Sequence, residues 1–503
     1  MEPIAGPDAA VRAPGRRWQA NAADPSELRA LNGYPLTTKH VEIGRVSGGD
    51  EGPVDRGEHG GEFAALLDRR DIHMEFQPLV DLRSGEVVAL EALARGPHTT
   101  AFVSPIELFA AARSCGRVAE LDWVCRAAAF DAFLQAELPP SLSLFINTEP
   151  EGFAANCPPD LAHLVAKAES LLRVFVEVNG HALGMDPAGV LAAVDRAREM
   201  SWGVAVDDVG GSRVPVAMLP IVQADVVKLD LGLLKQATPE DYAATITSVL
   251  GHVEATGASL LVEQIESEAD ARWARALGAV YGQGLHLGAP SALRGSYPAP
   301  RIPVPLVQAA STDFHISSPH AVFEDRPQRR MESEVVDRLA TVIANSPRSS
   351  NSWPVFLTCV GRDLRDIQGV MEASLGLPRP ALLSVAFGVG MPDEPVPGVR
   401  GVRVGLDDPL ANEKFLIVLS DQAAVALFAQ RASDGLFDVV ITQNQELVHG
   451  IAHHLIRRVP GPGSGNVALP ARTQATDDHE EEHISAGNSP TSRRRRGTWW
   501  WQR

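Results

Sequence analysis

From about residue 62 to about residue 300 the chain repeats one pattern, a short apolar run followed by a longer amphipathic segment. The runs are "HMEFQPLVDL", "VVALEAL", "LSLFIN", "VFVEV", "GVAVDD", "VVKLD", "SLLVEQ" and "AVYGQG". Runs this short read as buried strands of a largely parallel sheet. Segments such as "SPIELFAAARSCG", "DPAGVLAAVDRAREM" and "EADARWARALG" lie between them and read as helices, with Asp, Glu, Ser or Pro near the first turn. Eight such strands in about 240 residues suggest an α/β fold of the (β/α)8 barrel type, for which roughly 250 residues is typical. The alternative, a doubly wound open sheet, has no GxGxxG fingerprint to support it.

Almost every one of these runs carries a group able to bind a metal or move a proton. "VVALEAL" holds Glu91, "LFIN" ends in Asn147, "VFVEV" holds Glu177, "VAVDD" ends in Asp207 and Asp208, "VVKLD" holds Lys228 and Asp230, and "LLVEQ" holds Glu263. In a parallel barrel the strand C-termini meet at one face, so residues scattered from 91 to 263 converge. Any one acid alone reads as a turn former or helix cap. Several carboxylates gathered away from bulk water would each carry a desolvation penalty of order several kcal/mol and would repel one another. One lysine does not neutralise them all. Divalent cations do, and carboxylates with an amide oxygen are hard ligands suited to Mg2+ or Mn2+ rather than to zinc. Glu91 is therefore read as a metal ligand.

The stretches "FQPLVDLRSGEVVALEALARG", "FIN", "VFVEV", "VDDVGG", "DVVKLD", "VEQIES" and "GQGLHLGAP" resemble, in order and spacing, the motifs of the bacterial EAL-domain phosphodiesterases of cyclic di-GMP, over about residues 62 to 295. The resemblance implies a modified TIM barrel with a two-metal site for Mg2+ or Mn2+. It implies that Glu91, Asn147, Glu177 and Asp207 hold one ion, that Asp207, Asp208 and Glu263 hold a second, and that Asp207 bridges them. It places Lys228 against the attacking water and Glu263 as a helping base or ligand, with Gln77, Arg95 and Gln283 near the substrate. The implied reaction is hydrolysis of one phosphodiester bond of cyclic di-GMP to linear pGpG, in a family that often works as homodimers. Arg95 carries two readings, a charge-assisted pair with a phosphate or an internal salt bridge.

Three departures bear on activity. The family's D-D-F-G-T-G-Y-S-S-L is here "DDVGGSRVPVAML", its second glutamate three residues after the position of Glu177 is Gly180, and A-E-G-V-E is "VEQIE". Weak catalysis, a receptor that binds cyclic di-GMP without cutting it, and a module acting through protein contacts are the alternatives these departures raise.

The remaining chain divides as follows. Residues 1–60 are expected to be mostly disordered, 61–300 to form the barrel, 301–345 a linker and connecting helix, 346–460 a smaller α/β sensory or regulatory domain, and 461–503 a disordered tail. In the second domain "PVFLTCV", "ALLSVAFGV", "VRGVRVGL" and "KFLIVLS" read as apolar runs, while "DQAAVALFAQRA" and "QELVHGIAHHLIRRV" read as helical. The stretches "GLDDPLANEKFLIVLSDQAAVALFAQR" and "FDVVITQNQELVHGIAHHLIRR" resemble the DICT sensory domain, which implies regulation by an unspecified signal. His449 and His453 are spaced i, i+4 but have no HExxH glutamate between them, and are read as packed or surface histidines. The tail "SRRRRGTWWWQR" is read as solvated.

A formal net charge of -18 argues against binding long nucleic acid over the whole surface. The four cysteines are widely spaced with no CxxC pair, so neither a zinc site nor a disulfide framework is suggested, in keeping with a reducing cytoplasm. No apolar stretch approaches the roughly 20 residues needed for a transmembrane helix, and the first residues lack the apolar core of a signal peptide. A cytoplasmic location is expected.

Overall fold

The computed structural model describes residues 58–210, 216–307, 318–323, 326–345, 353–362, 364, 381–420 and 423–461. Apart from residues 58–60 and 461, the ends expected to be disordered lie outside the described residues, as do residues 211–215 of the altered "DDVGGSRVPVAML" loop. All described residues belong to one compact unit, Gly57–Arg503.

Each of the eight apolar runs forms one strand. These are β1 (His73–Asp81), β2 (Val87–Arg95), β3 (Ser143–Thr148), β4 (Arg173–Asn179), β5 (Gly203–Val209), β6 (Val226–Asp230), β7 (Ser259–Glu263) and β8 (Tyr281–Gly282), closed into a barrel in chain order. The fold is an α/β barrel with one reversed strand, since β1 runs antiparallel to both β2 and β8 while the other neighbours are parallel. The short connection after Asp81 explains the reversal. The Asp81 carboxylate accepts the Arg83 and Ser84 N–H groups at 2.9 and 2.7 Å, Gly85 takes φ +75°, and so tight a turn can only join antiparallel strands.

Inside the barrel, Leu79, Ala89, Phe145, Phe175, Ala205, Val226 and Leu261 form one apolar cluster, with the Phe145 and Phe175 rings stacked at 4.6 Å. Val304, from the segment after the barrel, joins that cluster, and its carbonyl accepts a hydrogen bond from the Arg173 guanidinium. This packing sets the position of everything above it. Side chains alternate across a strand, so the residue two positions further along returns to the inner face. Two positions beyond Ala89, Phe145, Phe175, Ala205, Val226 and Leu261 stand Glu91, Asn147, Glu177, Asp207, Lys228 and Glu263.

The second sheet contains β9 (Arg329–Met331), β10 (Val355–Cys359), β11 (Leu383–Val389), β12 (Arg400–Val404), β13 (Glu413–Leu419), β14 (Ala424–Arg431) and β15 (Phe437–Thr442), in the order β12-β11-β10-β13-β14-β15-β9. The expected helix "DQAAVALFAQRA" is corrected here, since Ala424–Arg431 is a strand paired antiparallel with both β13 and β15. Ser420 and Ala423 close a turn by mutual hydrogen bonds of 2.8 and 3.1 Å. Pairing on both edges then outweighs the helix propensity of its alanines. Within the stretch expected to be a linker, Arg329–Met331 pairs with β15 and the helix Ser333–Ala344 packs on β13, β14 and β15.

The helix Gln445–Ile456 packs on β14 and also reaches the barrel, against the short helix Leu219–Val222. His453 Nδ1 is 3.0 Å from the Ile221 carbonyl oxygen, and Arg457 pairs with Asp195 at 3.1 Å. Arg400 donates to the Gly184 carbonyl at 3.0 Å. His449 and His453 are thus packing residues, and burial pushes the His449 imidazole down to about 4.

Candidate metal centre

Lys228 stands at the middle of the polar layer. Its Nζ lies 2.6 Å from Glu177 Oε1, 2.9 Å from Glu263 Oε1, 3.2 Å from Asp207 Oδ1 and 3.3 Å from Glu91 Oε2. Glu91 is held from both sides: Asn147 Nδ2 donates to its Oε1 at 2.9 Å and Gln283 Nε2 to its Oε2 at 2.6 Å. Gln283 also donates to Gln77 Oε1 at 3.1 Å, and Gln77 donates to the Gly288 carbonyl at 3.1 Å. On the other side of the ring the Asp208 N–H donates to Asp207 Oδ1 at 2.9 Å, and the Asn179 amide donates to Asp208 Oδ2. Asp208 takes φ +57°, a left-handed conformation that Asp tolerates better than most residues.

Among the described residues the electrostatics are those of an anionic pocket with one cation. Burial, and then the Glu91 charge, hold the Glu177 carboxyl well above the usual range. Burial and Asp207 do the same to Glu263 and bring Asp208 up to about 6. Burial works against the Lys228 charge, but Asp207, Glu177, Glu263 and Glu91 together hold its ammonium well above the ordinary value. The crowding of acids, rather than burial, decides its charge.

These residues fit divalent cations. Both carboxylate oxygens of Glu177 are buried without a hydrogen-bond partner among the described residues. At Oε1 the Lys228 ammonium approaches to 2.6 Å. Asp207, Asp208 and Glu263 each offer a carboxylate oxygen, and those atoms lie within 4.8 Å of one another. Oxygen donors of this kind suit hard cations, and a buried carboxylate left unpaired is costly unless a cation meets it.

The six expected ligand residues and Lys228 come together in this layer. The three residues expected near a substrate make contacts of their own. Arg95 Nε pairs with Glu75 Oε2 at 2.9 Å, the internal salt bridge of its two readings. Gln283 is buried and engaged with Glu91, and Gln77 links Gln283 to Gly288. Sequence reasoning missed Asn179, Gln264 and Glu75. Alternation gave a signal for two of them, because Asn179 lies two residues beyond Glu177 and Glu75 two before Gln77. Gln264 takes φ +55° and donates to Asp230 Oδ2 at 2.6 Å; no pattern of spacing announces that contact.

Residues 62–290, which span the barrel, match the family described as EAL domain. A cyclic di-GMP phosphodiesterase of Pseudomonas aeruginosa is 28% identical over 231 residues, covering 45% of this chain and 39% of that protein. A probable cyclic di-GMP phosphodiesterase of Escherichia coli is 24% identical over 233 residues, 43% of this chain and 42% of its own length. The chain thus spans less than half the length of these curated relatives. Among solved structures, the cyclic di-GMP complex of the PaMucR phosphodiesterase has 22% identity and a TM-score of 0.40, covering 46% of this chain and 96% of that one. No described helix is long and apolar enough to cross a membrane.

Proposed function

We propose that this chain hydrolyses one phosphodiester bond of cyclic di-GMP, giving linear pGpG, with Mg2+ or Mn2+ held by Glu91, Asn147, Glu177, Asp207, Asp208 and Glu263. The observation that carries the reading is the buried Glu177 carboxylate, met at Oε1 by the Lys228 ammonium and with Oε2 lacking a hydrogen-bond partner among the described residues, inside an acidic ring at the strand C-termini of the barrel. When bound, divalent cations supply charge to the phosphodiester oxygens and make a water molecule more acidic. The chain's own residues orient and move protons. Asn147 and Gln283 fix the Glu91 carboxylate, Lys228 offers an ammonium donor to a water at the centre of the ring, and Glu263, 2.9 Å from the Lys228 ammonium, serves as a proton acceptor.

A receptor that binds the dinucleotide without cutting it is the second reading. Gly180 opens the helix Gly180–Met185 and supplies no carboxylate where the resemblance leads one to expect a second glutamate. The deciding experiment measures pGpG release from cyclic di-GMP by the full chain with Mg2+ or Mn2+, with chelator controls and equilibrium binding in the same samples. Metal-dependent product that vanishes with chelator is expected. Binding without product moves the assignment to receptor, and neither binding nor product ends both readings.

We further propose that the second sheet regulates this site. The helix Gln445–Ile456 bears on Leu219–Val222, which lies downstream of Asp207 and Asp208 on the connection between β5 and β6. Arg457→Ala removes a half-exposed ion pair with Asp195 worth about 0.2–1 kcal/mol. Its expected effect is a change in turnover of up to about fivefold with little change in unfolding temperature. Unaltered kinetics would remove this contact as a route of control.

A further inference from the structure

We propose that Glu75 sets the affinity of the site by competing with a ligand phosphate for Arg95. The inference rests on the cyclic dinucleotide reading above and adds a residue to which neither the resemblance nor the acidic ring points. Glu75 and Gln77 share the inner face of β1, and Glu91 and Arg95 share that of β2, with Gln77 opposite Glu91 and Glu75 opposite Leu93. The Glu75–Arg95 pair therefore lies further along the same inner face, toward the end of the barrel where the carboxylates gather. Arg95 spends its Nε on Glu75 at 2.9 Å and one terminal nitrogen on the Ala94 carbonyl at 2.9 Å.

Two features make this pair a competitor rather than a fixed strut. Its side chains are 20% and 35% exposed, so opening it strands no buried charge, in contrast to a buried pair. Among the described residues the surroundings are also short of positive charge. Glu91, Glu177, Asp207, Asp208 and Glu263 face a single lysine, and Arg95 is the one arginine on the inner strand faces at this end among the described residues. A ligand with two phosphodiester charges needs a guanidinium there, and bidentate pairing to a phosphate suits Arg. A phosphate that pairs with the Nε edge of Arg95 must displace Glu75.

The test is the equilibrium dissociation constant of cyclic di-GMP, measured by calorimetry with Ca2+, for the full chain and for Glu75→Gln, Arg95→Gln and the double variant. Glu75→Gln is near-isosteric and is expected to tighten binding about two- to fivefold, the scale of one exposed ion pair. Arg95→Gln is expected to weaken it, and Glu75→Gln is expected to have no effect once Arg95 is replaced. Equal affinity of the native chain and Glu75→Gln, or a gain that persists without Arg95, overturns the role of Glu75 while the functional reading stands. Absence of binding in all four proteins overturns the functional reading and this inference with it.

Discussion

Lys228→Met is expected to lower the unfolding temperature of the metal-free protein by on the order of 10 °C and to reduce cyclic di-GMP turnover by roughly 10^2–10^4-fold. Lys228 is 1% exposed and lies within 3.3 Å of four carboxylates, the most open of which is 14% exposed. Removing the cation from a buried cluster leaves its partners unpaired, and such losses run to about 3–5 kcal/mol. Methionine keeps the length and apolar stem of the side chain, so the change isolates the charge. Without metal the loss should shrink as pH falls, because protonation relieves the acids. Added Mn2+ should raise the unfolding temperature of the variant more than that of the native chain, since ions replace the missing charge. Thermal unfolding with and without Mn2+ checks this, and equal metal-free stability of the two proteins would show that the four acids do not depend on Lys228.

How far this site can be read in the sequence follows from strand alternation. The apolar residues at 89, 145, 175, 205, 226 and 261 and the polar ones two places on are both visible in the sequence, so the convergence of Glu91, Asn147, Glu177, Asp207, Lys228 and Glu263 needs only a closed barrel. What alternation leaves open is which neighbour a side chain chooses. Arg95 and Gln283 were legible as inward-facing, but their bonds to Glu75 and Glu91 depend on β1 running backwards between β2 and β8. The β1 reversal comes from a turn of a few residues, a weaker signal than the strands it joins. In the second sheet the failure was of another kind. "AVALFAQR" is Ala-rich, has both edges paired and lacks a strict two-residue polar alternation, so local propensity favoured a helix and only the hairpin from β13 decided otherwise.

The same sheet carries an acid with no part in the metal centre, and its expected behaviour is a loss of local stability as pH rises. Glu413 opens β13 and is 1% exposed. Its carboxylate accepts hydrogen bonds from the Ser318 hydroxyl and the His320 N–H, while Oε2 has no hydrogen-bond partner among the described residues. Burial pushes its pKa up to about 7 from about 4.5, and those two hydrogen bonds only partly oppose the shift. A folded-state pKa above the unfolded one means that the native sheet binds the extra proton. Its stabilising contribution is complete below about pH 4.5 and is lost as pH rises through about 7. The full difference is about 3 kcal/mol. Glu413→Gln keeps an oxygen for Ser318 and removes the charge, so its sheet should hold its stability across that range. Hydrogen exchange of the β13–β15 amides read by mass spectrometry at pH 5 and pH 8 compares the two proteins at each pH. Protection in the native chain should fall relative to Glu413→Gln only at the higher pH. An unchanged ratio would mean that the folded sheet accommodates the ionised carboxylate at no cost, and that Ser318 and His320 satisfy it better than its burial implies.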